Sequence, residues 1–183
     1  MLSDLLTRRE LSVRLFSVLT TLGLFGKGTD LAAEASTLDN DGLTHSSEAI
    51  HQEVLIKASR ERVYRALTDA KQFRELTDLS YHALSTEISP EVGGTFALFG
   101  GVIVGRHIEM SPNQRLIQAW RETSWEPGAY SIVSFQLNEA GSGTRVIFDH
   151  RGFPQGKGEH LAIGWKSHYW EPIQKYLAQK GTA

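Results

Sequence analysis

Along residues 144–150, Thr144, Val146 and Phe148 fall on one side of the chain and Arg145, Ile147 and Asp149 on the other. A period of two is that of a half-buried strand. Beyond it, Gly152, Pro154, Gly156 and Gly158 interrupt regular structure. Leu161, Trp165, Tyr169, Ile173 and Leu177 then recur at every fourth position, which predicts a long closing helix with one bulky apolar face. Pro172 falls inside that helix, where its ring removes a backbone hydrogen bond and crowds the preceding turn, so a bend is predicted at residues 168–171.

Upstream, Ile50, Val54 and Ile56 begin a strand, and Ser59 is placed to cap a helix whose apolar face is Val63, Leu67, Ala70 and Phe73. Strand-like runs follow at 95–99, 102–110, 115–122 and 130–138. They are separated by Gly93-Gly94, Gly100-Gly101, Pro112-Asn113, Glu126-Pro127-Gly128 and Gly141-Ser142-Gly143. The order strand, helix, antiparallel meander, long helix makes the fold class α+β. Alternation separates Leu116, Gln118 and Trp120 from Ile117, Ala119 and Arg121 without saying which set faces inward.

Gly164-Trp165-Lys166 followed by Tyr169-Trp170-Glu171-Pro172-Ile173, after the strand and its Gly-Phe-Pro break, resembles the C-terminal signature of the activator of Hsp90 ATPase homologue family, in the START/Bet v 1-like (SRPBCC) superfamily. Gly93-Gly94-Thr95-Phe96, Gly100-Gly101, Gly105-Arg106, Pro112-Asn113, Trp120-Arg121 and the 125–130 segment extend the similarity over roughly residues 50 to 180. In that last segment Glu126 and Pro127 are exchanged relative to the family's usual Trp-Pro order. The resemblance implies a helix-grip fold, a curved antiparallel sheet wrapped around a long C-terminal helix, often with an apolar cavity between them.

The N-terminus carries a different signal. Thr7-Arg8-Arg9-Glu10-Leu11 precedes an apolar run over 15–25, then Lys27, and then Ala33-Glu34-Ala35 before Ser36. This reads as a twin-arginine export signal over residues 1–35 with an A-x-A cleavage site, which predicts a periplasmic or otherwise exported protein; the alternative is an amphipathic N-terminal helix in a cytoplasmic one. The apolar run is shorter than the roughly 20 residues that span a bilayer, so no integral anchor is expected after cleavage. Residues 36–48 are polar and predicted to be a disordered linker to a domain over 49–180.

Composition narrows the function classes. With 183 residues, 40% hydrophobic and 22% charged, the chain has material for one such domain. A formal charge of −2 gives no global basic field, so no nucleic-acid partner is expected. Cys is absent, which removes disulfides, thiolate metal sites and cysteine nucleophiles. His160 and His168 lie two helical turns, about 12 Å, apart and cannot share a metal ion from a regular helix; no metal and no cofactor is expected. Asp149 and His150 are neighbours on a strand and point to opposite faces, and although His107, Asp149 and His150 could approach a cavity from adjacent strands, no catalytic residue is assigned. The charges around 60–65 and 71–75 read as solvated helix faces.

Aromatic residues are the remaining constellation. Phe99, Trp120, Tyr130, Phe135, Trp165 and Tyr169 are the candidates for a ligand cavity, with Trp165 and Tyr169 as its helix wall. The expected function is non-catalytic binding or carriage of a hydrophobic small molecule or lipid. The alternative is a cyclase- or dehydratase-like enzyme acting on a polyketide-like substrate, which predicts a perturbed titratable group on the inner face. A chaperone partner, which the family name suggests, is not expected: the eukaryotic activators carry a further N-terminal domain, and an exported chain would not meet a cytosolic chaperone.

Overall fold

The computed structural model describes residues 48–80 and 84–179. The twin-arginine pattern, its cleavage site and the polar segment up to residue 47 lie outside the described residues. Among the described residues there are seven strands: β1 Ala49–Ile56, β2 Glu87–Ile88, β3 Thr95–Leu98, β4 Ile103–Ser111, β5 Arg115–Glu122, β6 Ser131–Ala140 and β7 Gly143–Arg151. They form one antiparallel sheet in the order β1-β7-β6-β5-β4-β3-β2. The meander read from its turn residues is therefore present, and β1 closes it by pairing with the last strand, Ile50 opposite His150 and Ile56 opposite Thr144.

Tertiary packing settles the facing that alternation leaves open. Leu116, Gln118 and Trp120 are buried on the inner face, together with Val133, Phe135 and Leu137 of β6 and Val146, Phe148 and His150 of β7. Close approach imposes one glycine. A Cβ at Gly105 would fall on the Ala119 carbonyl oxygen and the Phe96 ring, because Phe96 lies across the sheet where β4 offers no side chain.

The first helical region differs from the single helix expected. It is two helices, α1 Arg60–Thr68 and α2 Ala70–Thr77, divided at Asp69. Asp69 takes an extended conformation, and its carboxylate accepts from the Gln72 amide at 2.8 Å. A short acidic side chain that caps the next turn competes with helix continuation, which the apolar spacing of Val63, Leu67 and Phe73 does not reveal. Ser59 caps α1 as its position implies, its hydroxyl accepting from the Arg62 amide.

The closing helix runs through α3 Gly158–Gly164, a π-helical segment Trp165–Trp170, and α4 Glu171–Gln179. Pro172 supplies the reason for the wide turns. It has no N–H to donate to the His168 carbonyl four residues back, and its ring crowds that carbonyl. Widening to π geometry over residues 165–170 accommodates both, and this π segment stands where a bend was predicted. Leu161, Trp165, Tyr169, Ile173 and Leu177 are all buried, and α4 meets the first helices through Tyr176 Oη donating to Glu75 and Arg62 donating to the Leu177 carbonyl. A buried closing helix gripped by a single antiparallel sheet is the helix-grip arrangement.

Glu48 ties the start of β1 to the β7–α3 connection, its two carboxylate oxygens accepting from the Gly156 and Gly158 amides at 2.8 and 2.9 Å. These are charge-assisted bonds across more than a hundred residues of chain. Glu48→Ala is expected to lower stability by about 1–2 kcal/mol and to speed hydrogen exchange at both glycine amides. Unchanged exchange there would show that the clamp does not form in solution.

Candidate functional site

At one end of the sheet the β3–β4 turn rises against the helix. Phe99, Gly100 and Gly101 all have positive φ, 54°, 68° and 87°. For a phenylalanine that left-handed conformation costs about 1–2 kcal/mol, and side-chain packing must offset it. The ring supplies that packing: it meets Phe73 and Tyr169 edge-on at 5.6 and 5.5 Å and lies 6.2 Å from the His168 ring. The turn thus drives an aromatic side chain inward at a cost in backbone strain.

Below Phe99 is a pocket of about 330 Å³. Besides Phe99, Val102 just before β4, Ile103 at its start, Trp120 and Glu122 at the end of β5, and Leu84 line one side; His160, Leu161, Gly164, Trp165, His168 and Tyr169 form its helix side. The volume lies at the low end of the range of roughly 300–1,000 Å³ for small-molecule sites, and the lining is mostly apolar. It suits one small ring system or a short acyl chain better than a two-chain lipid.

Polar groups gather at the rim. Glu122 Oε1 lies 3.5 Å from His160 Nε2, and Ser124 donates to the other carboxylate oxygen at 3.3 Å. Burial lowers the His168 pKa, and the charge of His160 lowers it further, so His168 is a neutral imidazole at pH 7. The Tyr169 hydroxyl is held above the ordinary phenol range by burial, an effect that the neighbouring Trp120 indole opposes. Neither of those two groups completes a hydrogen bond of good geometry.

Behind the pocket sits a closed polar network. Ser131 donates to the Trp120 carbonyl at 2.9 Å, so its oxygen is left to accept from His150 Nε2–H at 2.7 Å. Trp165 Nε1–H donates to His150 Nδ1 at 3.0 Å. Both ring nitrogens are satisfied only when the imidazole is neutral, because a proton on Nδ1 would face the indole N–H. Burial pushes the His150 pKa down to about 4.

The aromatic candidates divide. Phe99, Trp120, Trp165 and Tyr169 line the pocket. Phe135 is fully buried elsewhere in the core, 5.2 Å from the Phe148 ring and 5.8 Å from that of Trp165. Tyr130 is half-exposed, with the Arg121 guanidinium 5.6 Å over its ring. Asp149 points outward to His51 and Arg151, away from His150. His107 is on the inner face, but register places Gln118 and Val133 between it and His150, so the three do not converge. Among the described residues no cluster of His, Asp and Glu is placed to hold a metal ion.

Sequence reasoning missed Glu122 and Gly164, and considered His160 and His168 only as metal ligands. One signal was available. His160, Gly164 and His168 recur at four-residue spacing, a second stripe beside the apolar one, and such a stripe follows the edge of whatever the helix covers.

Comparison with known proteins places this geometry in context. A family model described as activator of Hsp90 ATPase homolog 1-like protein matches residues 57–178. The human activator of 90 kDa heat shock protein ATPase homolog 1 is 26% identical over 117 residues, 64% of this chain and 33% of the relative. The mouse homolog 2 is 26% identical over 136 residues, 74% of this chain and 40% of the relative. The chain therefore spans about a third to two fifths of those relatives. A solved HSP90 activator from Plasmodium falciparum superposes with a TM-score of 0.63 at 25% identity, covering 72% of this chain and 96% of that one.

Proposed function

The chain belongs to the activator of Hsp90 ATPase homolog 1-like family, and from that premise we propose that its domain binds an apolar small molecule in the pocket between the β3–β4 turn and the closing helix. The observation that carries this reading is the aromatic-walled void with a helix glycine on its surface. Gly164 has ordinary helical dihedrals, where glycine costs about 1 kcal/mol relative to alanine. A Cβ there would meet only His168 Cδ2, at an ordinary 3.7 Å. Backbone geometry does not demand the glycine, and its absent side chain leaves the pocket open.

Native mass spectrometry of the protein purified from its own cells, or after exposure to lipid extract, tests the reading. The wild type is expected to carry a small apolar ligand, and Gly164→Leu, which fills the void, to lose at least about tenfold in occupancy while melting cooperatively. A wild type that stays ligand-free, or a variant that binds equally well, would overturn it.

A chaperone partner is the second reading, supported by the names of the relatives. The objection from chain length loses force, because a domain of this size covers 96% of the solved Plasmodium activator. Stimulation of an Hsp90-type ATPase by the purified chain would favour it. Export by the twin-arginine route would keep the chain from a cytosolic chaperone, so cell fractionation discriminates between the two.

A further inference from the structure

We propose that the molecule taken by this pocket is a cation, an alkyl- or arylammonium whose head group sits against Glu122. The inference rests on the pocket reading above and adds the charge of the ligand. Among the described lining residues Glu122 supplies a carboxylate, and there is no Lys or Arg. Its side chain is 16% exposed, so the charge is largely withdrawn from water. Its two partners, His160 Nε2 at 3.5 Å and the Ser124 hydroxyl at 3.3 Å, lie at the long end of hydrogen-bond range. A carboxylate so placed has capacity for a shorter, charge-assisted bond.

The surroundings favour the same sign. His168 is neutral at pH 7, and His160, with its side chain 71% exposed, can swing away from Glu122 into solvent. The rings of Phe99, Trp120, Trp165 and Tyr169 line the same pocket, and aromatic faces attract cations through their quadrupoles. Arg121, the cation next in sequence, turns to the outer face, where its guanidinium donates to the Glu122 and Trp125 carbonyls and lies over Tyr130. A ligand carboxylate would be desolvated beside a like charge, and a neutral head would leave Glu122 with its weak partners.

Three probes with one chain test this: n-octylamine, protonated near neutral pH with a pKa close to the lysine value of about 10.4, 1-octanol and octanoate. Binding is followed by NMR through the indole signals of Trp120 and Trp165. The octylammonium ion is expected to bind about tenfold or more tightly than octanoate, with octanol between them, and Glu122→Gln to shrink that ratio below about threefold. Equal affinities, a preference for octanoate, or a ratio that survives Glu122→Gln would overturn the charge assignment while leaving the pocket reading intact. No indole shift with any of the three probes would overturn both.

Discussion

Trp165→Ala is expected to lower the stability of the folded domain by about 4 kcal/mol, measured by urea unfolding. Trp165 is 2% exposed and lies at the centre of the aromatic core, with ring centroids 4.4 Å from Phe148, 4.1 Å from Tyr169 and 5.6 Å from Trp120. Truncation removes those contacts and leaves a void that the π segment and the sheet can only partly close. It also leaves His150 Nδ1 buried without its donor. Trp165→Phe separates the two contributions: it keeps most of the packing and loses the indole N–H, so a cost of about 1–3 kcal/mol is expected from the unpaired nitrogen and the smaller ring together. If Trp165→Ala lost less than about 1 kcal/mol, Trp165 would not be the keystone of the core.

The second large effect is on pH. His150 is fully buried as the neutral base, and its pKa falls from 6.5 to about 4 on folding. Because the folded value lies below the unfolded one, the unfolded chain binds more protons between them. The contribution of His150 is complete above pH 6.5 and is lost as pH falls toward 4. Over that window the wild type is expected to lose about 3 kcal/mol more than His150→Gln, in which the titrating group is absent while a hydrogen-bonding side chain remains. Carboxylates titrate in both proteins, so the difference between the two curves is the quantity to read. Parallel curves would mean that the Ser131–His150–Trp165 network opens readily to water.

The two effects meet at one bond, Trp165 Nε1–H to His150 Nδ1, which joins the closing helix to β7 behind the pocket. Protonation of His150 opposes that bond directly. Acid is therefore expected to loosen the helix wall at Trp165.

Much of the fold was legible along the chain, for reasons that particular residues show. Thr144, Val146 and Phe148 alternate with less buried positions, and Leu161 to Leu177 repeat every fourth residue, because strand and helix geometry imposes those periods locally. Ser59 as a cap and the glycine pairs between strands are equally local. Asp69 was not read as a break, since one capping carboxylate decided between one helix and two. The site was only half legible. Trp120, Phe99, Trp165 and Tyr169 stood out as large aromatic residues, but so did Phe135 and Tyr130, and nothing local distinguishes a ring in the core or on the outer face from one at a pocket wall.

By itself the sequence determined most of the elements and their order, the absence of cysteine chemistry and the family signature, all properties of neighbouring residues or of residue types; the short β2, the division of the first helix at Asp69 and the π segment were not among them. Only the tertiary structure decided that Leu116, Gln118 and Trp120 face inward, that His150 is locked as a neutral base, and that Glu122, Gly164 and His168 meet around one void. Those outcomes depend on strand register, the strained turn at Phe99 and the wide helical turns before Pro172. Each brings together residues distant in sequence, and no local period records which distant residues will meet.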